Sequence, residues 1–167
     1  MVAATLNGHS TQSHDARSMQ GKVGFFTGGA SGIGLAAARE CASRGASIAI
    51  VDLRIEAAQK AADALHKEFS VPTLALGCNV AKQDEVEAAV ERCVAELGGL
   101  HMALNAAGMP SKGATTADYP VDEWLGVINV HLTGCFLCCR AEIKAMLQSG
   151  GGAIVVRFAF LLCRHIP

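Results

Sequence analysis

Apolar residues fall along this chain in two alternating rhythms. Val23–Phe26, Ala46–Val51, Thr73–Leu76, Leu100–Leu104 and Ala153–Val156 are short, nearly unbroken apolar runs, each flanked by glycine, proline or polar residues. Such runs predict strands covered on both faces, because a strand with one wet face would alternate. Between them, apolar positions return every three or four residues, the period of an amphipathic helix. Ser31–Arg44, Arg54–Phe69 and Lys82–Leu97 read this way. In the last of these, Val86, Ala89, Val90, Cys93 and Val94 share one face, and Asp84, Glu85, Glu87 and Glu91 the other. Val121–Gln148 reads as one long helix, and Gly45, Ser70 with Pro72, Gly98-Gly99 and Gly150–Gly152 supply the stops. Strand and helix alternate five times over short connections. That predicts right-handed crossovers and an α/β fold, a doubly wound parallel sheet with about five strands present.

Residues 1–20, rich in Ser, His, Asn, Gln and Thr without periodicity, are expected to form a disordered tail. The ordered domain is expected over 21–156, and 157–167 forms a separate tail. Hydrophobic residues make up 51% of the chain and charged residues 17%, with a net charge of −1. This balance suits one globular domain and, with no basic block, gives no footprint for nucleic acid or an anionic membrane surface. Ala153–Cys163 is greasy but too short to span a bilayer. The start of the chain lacks the apolar core of a secretory signal, so a reducing, cytoplasmic setting is expected. Of the seven cysteines, Cys135, Cys138 and Cys139 cluster on an apolar helix without a second His/Cys group at zinc spacing. They read as small buried core residues, with no metal site. His101 and His131 read as packing positions.

The candidate chemistry begins where the first strand ends. Thr27-Gly28-Gly29-Ala30-Ser31-Gly32-Ile33-Gly34 joins a buried strand to a helix. Gly28, Gly32 and Gly34 are spaced so that bare backbone can lie against a diphosphate at the helix N-terminus, where free N–H groups and the helix dipole favour negative charge. Asp52 ends the second strand, twenty-four residues after Gly28. A dinucleotide site needs a carboxylate there to accept hydrogen bonds from the adenosine ribose. A carboxylate would also repel a 2′-phosphate, so NAD is preferred to NADP, though Arg54 nearby could neutralise a phosphate. A methyltransferase cofactor could use the same turn and acid, and at this point both remain open.

Thr27-Gly28-x-x-x-Gly32-x-Gly34, Asn79-Val80, Asn105-Ala106-Ala107-Gly108 and Asn129 stand in the order and spacing of the short-chain dehydrogenase/reductase family, which the chain resembles over about residues 20–156. The resemblance displaces the methyltransferase reading and implies a Rossmann fold that holds NAD. It implies that Gly28, Ser31, Gly32, Ile33 and Gly34 line the diphosphate and ribose, and that Asp52 and Leu53 hold the adenosine end. It places Asn79 and Val80 against the adenine, with Asn where the family usually has Asp. Asn105, Ala106, Ala107 and Gly108 would support the central strand beneath the nicotinamide ribose. Asn129 matches the active-site Asn of a water-linked proton path. The loop Pro110–Tyr119 would border a substrate pocket. The activity implied is hydride transfer between NAD and a small alcohol or ketone, in an enzyme that assembles as a homo-oligomer.

The family's chemistry also uses a serine after the fifth strand, then a tyrosine with a lysine four residues later to lower its pKa. Val156 is instead followed by Arg157-Phe158-Ala159-Phe160-Leu161 and six further residues, and Tyr119, the only tyrosine, precedes Asn129 with Glu123 four positions on. The expectation from sequence is an inactive, C-terminally shortened chain with an out-of-frame or mis-spliced ending, an exposed fifth-strand edge and doubtful oligomerisation. Two other readings stand beside it: a non-catalytic NAD-binding or interaction protein, and a fragment that does not fold stably.

Overall fold

The computed structural model describes residues 18–110 and 113–157. The element order is β1 (Val23–Thr27), α1 (Gly32–Ser43), β2 (Ser47–Asp52), α2 (Ile55–Phe69), β3 (Thr73–Gly77), α3 (Gln83–Leu97) and β4 (Met102–Asn105). After a 3-10 turn at Thr116–Asp118 come α4 (Val121–Ile128), a π-helical turn (Asn129–Thr133), α5 (Gly134–Gln148) and β5 (Ala153–Val156). All strand pairs are parallel, in the order β3-β2-β1-β4-β5. The doubly wound parallel sheet expected from the alternating pattern is therefore present, with strand ends moved by one or two residues.

The pleat explains why the central strands read as unbroken apolar runs. Phe25, Ala49 and Val51 enter the core beneath α3 and α5, while Phe26, Ile48 and Ile50 enter the core beneath α1 and α2. Alternate residues face opposite layers, and both layers are sealed. On the α1/α2 side the helices bury mostly alanines, Ala38, Ala42, Ala58, Ala61 and Ala62, which lets them lie close to the sheet. β3 and β5 are the two edge strands among the described residues, and on β5 Val155 is 60% exposed.

Three expectations are corrected. The tail assigned to 1–20 does not extend through its last residues. Met19 donates its N–H to the Arg44 carbonyl, accepts from Lys22 and packs on the α1/α2 core. Residues 1–17 and 158–167 lie outside the described residues, as do 111 and 112 of the loop Pro110–Tyr119. The helix expected as one piece over Val121–Gln148 carries a π turn, in which the Gly134 N–H reaches back to the Asn129 carbonyl. A Cβ on Gly134 would stand 2.9 Å from Val80 Cγ2, so the glycine lets the helix pass close to the β3–α3 loop. Of the clustered cysteines only Cys138 is buried; Cys135 and Cys139 are half-exposed. By length and composition Val121–Gln148 could cross a membrane, but Cys138, Ala141, Ala145 and Met146 commit one face to the sheet core. Its outer face leaves Leu125, Leu132, Phe136, Ile143 and Leu147 exposed.

Candidate functional site

The chain runs β1-α1-β2-α2-β3 towards one edge, then crosses through α3 to place β4 on the other side of β1. This reversal opens a crevice at the carboxyl ends of β1 and β4, where open α/β sheets bind ligands. The glycine turn lies in that crevice. Gly28 has φ +63°, and a Cβ there would stand 2.9 Å from both the Ala106 carbonyl oxygen and the Ala107 nitrogen. A Cβ on Gly34 would stand 2.4 Å from the Gly28 carbonyl oxygen. These two glycines thus stack the start of α1, the turn and the β4 loop in direct backbone contact.

Gly32 differs. It has φ +55°, and a Cβ there would meet nothing within 4 Å. The space beside it is open. Ser31 at the N-cap makes no side-chain cap, and the first turn of α1 carries no acidic residue. The first N–H groups of this twelve-residue helix therefore face the crevice with the dipole behind them. Ser31, Gly32 and Ile33 are all exposed around that opening. The arrangement can hold a diphosphate, and a side chain at 32 would fill the cradle.

Asp52 ends β2 with its side chain 13% exposed. Its Oδ1 accepts the Arg54 N–H at 3.2 Å, which aims the carboxylate from within its own loop, and Arg54 Nε stands 3.9 Å away. Leu53 beside it is 70% exposed. Asn79 Oδ1 accepts the Ala81 N–H at 3.0 Å, and the Asn79 N–H donates to Glu85 Oε2 at 2.7 Å. The Asn79 acceptor is therefore occupied in shaping the start of α3. Val80 is buried against Gly134. Lys82, and next the Asn79 N–H, hold the Glu85 carboxyl below its ordinary range.

Thr27, at the tip of β1, organises the floor. Its Oγ1 accepts the N–H groups of Ala106 at 3.1 Å and Ala107 at 3.2 Å, and donates to Asn105 Oδ1 at 3.4 Å. Asn105 Nδ2 donates to Glu142 Oε2 at 2.8 Å. Gly108 is pressed against His131, whose Cε1 would lie 2.7 Å from a Cβ at that position. His131 Nε2 also stands 3.2 Å from both the N and the O of Met109. A narrow cleft of about 20 Å³ follows, lined by Val80, Asn105, His131, Cys135 and Val156 among others. It has room for about one water.

The structure gathers Gly28, Asn105, Ala106, Ala107 and Gly108 at the crevice, with Gly32 and Gly34 at the helix start above them. Asn129 is exposed and lines no part of the narrow cleft, where its place is taken by Val130 and His131. Tyr119 is half-buried in the loop before α4. Among the described residues no three His, Cys, Asp or Glu side chains converge as metal ligands. Sequence reasoning quoted Thr27 in the glycine motif without giving it a role, read His131 as a packing position and passed over Glu142. The sequence signal for Thr27 was present, a lone hydroxyl closing an apolar strand. For His131 there was only its position in the turn ahead of Gly134.

Thr27→Val keeps the shape of the side chain and removes the acceptor for the Ala107 N–H. We expect a loss of about 1–3 kcal/mol, with Thr27→Ser close to the parent. Urea unfolding of the two variants checks this.

The sequence model of the short chain dehydrogenase family matches residues 22–157. Cyclohexanol dehydrogenase of Acinetobacter sp. (strain SE19) is 37% identical over 134 residues, covering 80% of this chain and 53% of the relative. D-threitol dehydrogenase of Mycolicibacterium smegmatis is 38% identical over 143 residues, covering 82% and 52%. The structure of an NAD+-bound xylitol dehydrogenase superposes with a TM-score of 0.80 at 31% identity, covering 83% of this chain and 53% of that one. The chain spans about half the length of the curated relatives it matches. A match across every described strand, with the glycine turn and the Asn105–Gly108 loop both seated at the switch point, means that this chain belongs to the short-chain dehydrogenase family.

Proposed function

We propose that residues 22–157 are the NAD-holding part of an oxidoreductase that moves hydride between a nicotinamide and the carbinol or carbonyl carbon of a small alcohol or ketone. The observation that carries this reading is the Gly32 cradle, open space above an uncapped helix N-terminus, with Asp52 closing the neighbouring strand.

The diphosphate would rest on the backbone of Gly28, Ser31, Gly32, Ile33 and Gly34. Asp52 would accept from the adenosine ribose hydroxyls, Leu53 would cover that ribose, and Asn79 and Val80 would flank the adenine. Ala106, Ala107 and Gly108, fixed by Thr27 and Asn105, would pass beneath the nicotinamide ribose. Bound there, the cofactor supplies a two-electron hydride donor or acceptor. Asn129 is assigned to the proton path through the resemblance, and its exposed side chain is free to order water. The carboxylate at 52 supports NAD over NADP, because it would stand against a 2′-phosphate, while Arg54 is largely solvent-exposed. The names of the relatives, dehydrogenases of cyclohexanol, D-threitol and xylitol, support a small polyol or cyclic alcohol as the substrate class.

Titration of the folded chain with NAD, by calorimetry or Trp124 fluorescence, tests this. We expect saturable binding. Asp52→Ala should weaken NAD about tenfold or more and strengthen NADP, since the variant loses a charged hydrogen bond to NAD and a like-charge repulsion of the 2′-phosphate. A folded chain that binds neither dinucleotide would falsify the proposal.

A further inference from the structure

Among the described residues, the buried polar side chains are Thr27, Asn105 and Glu142, and they form one connected line. The line starts at the Ala106 and Ala107 N–H groups, passes through Thr27 Oγ1 and the Asn105 amide, and ends inside α5 at Glu142. Its direction is fixed by counting donors. Thr27 Oγ1 already accepts two N–H groups, so its single proton must go to an acceptor, and Asn105 Oδ1 is that acceptor. Asn105 must therefore point its NH2 group into the core, where Glu142 Oε2 receives it at 2.8 Å. The other Glu142 oxygen, Oε1, is buried and has no hydrogen-bond partner among the described residues.

We propose that Glu142 is a positioning residue for the cofactor floor, acting as a neutral acid that locks the Asn105 amide and, through Thr27, the backbone of Ala106 and Ala107. The proposal rests on the dinucleotide reading above. The surroundings require the neutral form. Asn105 faces Glu142 from β4, with Thr27 of β1 behind it, and neither carries a charge. Cys93 faces it from α3, and Cys138 and Cys139 lie on its own helix, with Cys135 behind Cys139. Burial pushes Cys93 up to about 12 and Cys139 up to about 11, and holds Cys138 well above the thiol range, so these stay protonated. Glu96 reaches this group only through Cys93. Arg157, at the cleft rim beside β5, meets Asn105 through its backbone N–H and is exposed. No cation is among the groups that bias Glu142, so an ionised carboxylate would be buried on a single neutral donor. A proton on Oε1 leaves Oε2 as a carbonyl-type acceptor, the role that a glutamine oxygen would fill equally well. Burial holds Glu142 up at about 7, the edge at which this neutral form is lost.

The experiment uses the full isotope-labelled chain and its Glu142→Gln and Glu142→Leu variants, with NMR of the Asn105 side-chain amide and the Ala106 and Ala107 amides from pH 5.5 to 8. In the parent these signals should titrate together, and in Glu142→Gln they should stay flat. NAD affinity should fall about tenfold across the same range in the parent, hold in Glu142→Gln, and be about tenfold weaker at every pH in Glu142→Leu. Signals that do not move in the parent, or that titrate identically in Glu142→Gln, overturn the proposal. A parent chain that binds no NAD at pH 6 overturns the dinucleotide reading instead, and the amide titration still decides whether Glu142 sets the floor.

Discussion

Gly34→Ala is expected to abolish dinucleotide binding and to cost about 3 kcal/mol of stability, the upper range for overpacking a closed site. The added methyl would stand 2.4 Å from the Gly28 carbonyl oxygen, 2.9 Å from its carbon and 3.1 Å from Gly29 Cα. All three are backbone atoms, so no rotamer change relieves the clash. Gly28 cannot retreat, because its far side already rests on Ala106 and Ala107. The remaining escape is to lift α1, which would draw Ala38 and Ala42 out of the core beside β1 and β2. Gly32→Ala is the matched control. Its methyl meets open space, and its φ of +55° costs only about 1 kcal/mol for a side chain. That variant should fold with a urea midpoint lowered by only about 0.5 M and still lose at least about a hundredfold in NAD affinity, because the methyl occupies the diphosphate's place. Urea unfolding and calorimetry on the pair separate the two effects. A Gly34→Ala chain as stable as the parent would show that the turn is not packed as described.

That contrast marks what the sequence disclosed and what it concealed. The glycine spacing exposed the turn, but Gly28, Gly32 and Gly34 look alike in sequence. Their distinct duties, two for backbone contact and one for an opening, depend on where β4 lies. The strands were readable because both faces are buried, which removes polar positions from the run. The π turn was not, because a helix with one extra residue in a turn keeps nearly the same apolar spacing on either side. Asp52 was visible as the acid closing an apolar run. Glu142 was hidden for the opposite reason: in Arg140-Ala141-Glu142-Ile143-Lys144 a carboxylate among cations reads as a wet helix face. Packing decided otherwise, turning Ile143 outward at 49% exposure and Glu142 inward at 0%. Cys135 and Cys139 went the other way, since α5 presents only one stripe to the sheet and Cys138 occupies it. Thr27 and Asn105 are 78 residues apart, and no local pattern announces that they meet.

The buried acid should make the chain lose stability as pH rises through neutrality, opposite to the usual behaviour of a paired carboxylate. Glu142 is held up at about 7 in the folded chain, chiefly by burial and only partly offset by the Asn105 hydrogen bond, against 4.5 when exposed. Below 4.5 both states carry the proton and the contribution is fully present. Between 4.5 and about 7 the unfolded chain releases the proton while the folded chain keeps it, so each rise in pH favours unfolding. Above about 7 the loss is complete, at about 3 kcal/mol, or roughly 10 °C in melting temperature for a domain of this size. Glu85 acts in the opposite direction, but its carboxyl is lowered, so its effect falls at and below pH 4.5. The raised Cys and Lys82 groups act only in the alkaline range. Melting curves from pH 5 to 8 therefore isolate Glu142 once the same curves for Glu142→Gln are subtracted, which removes every contribution the two chains share. The difference should fall from pH 5 to about 7 and level off above it. Parallel curves would mean that the carboxyl is already ionised in the folded chain, and that water or a neighbouring group satisfies the Oε1 atom left without a partner among the described residues.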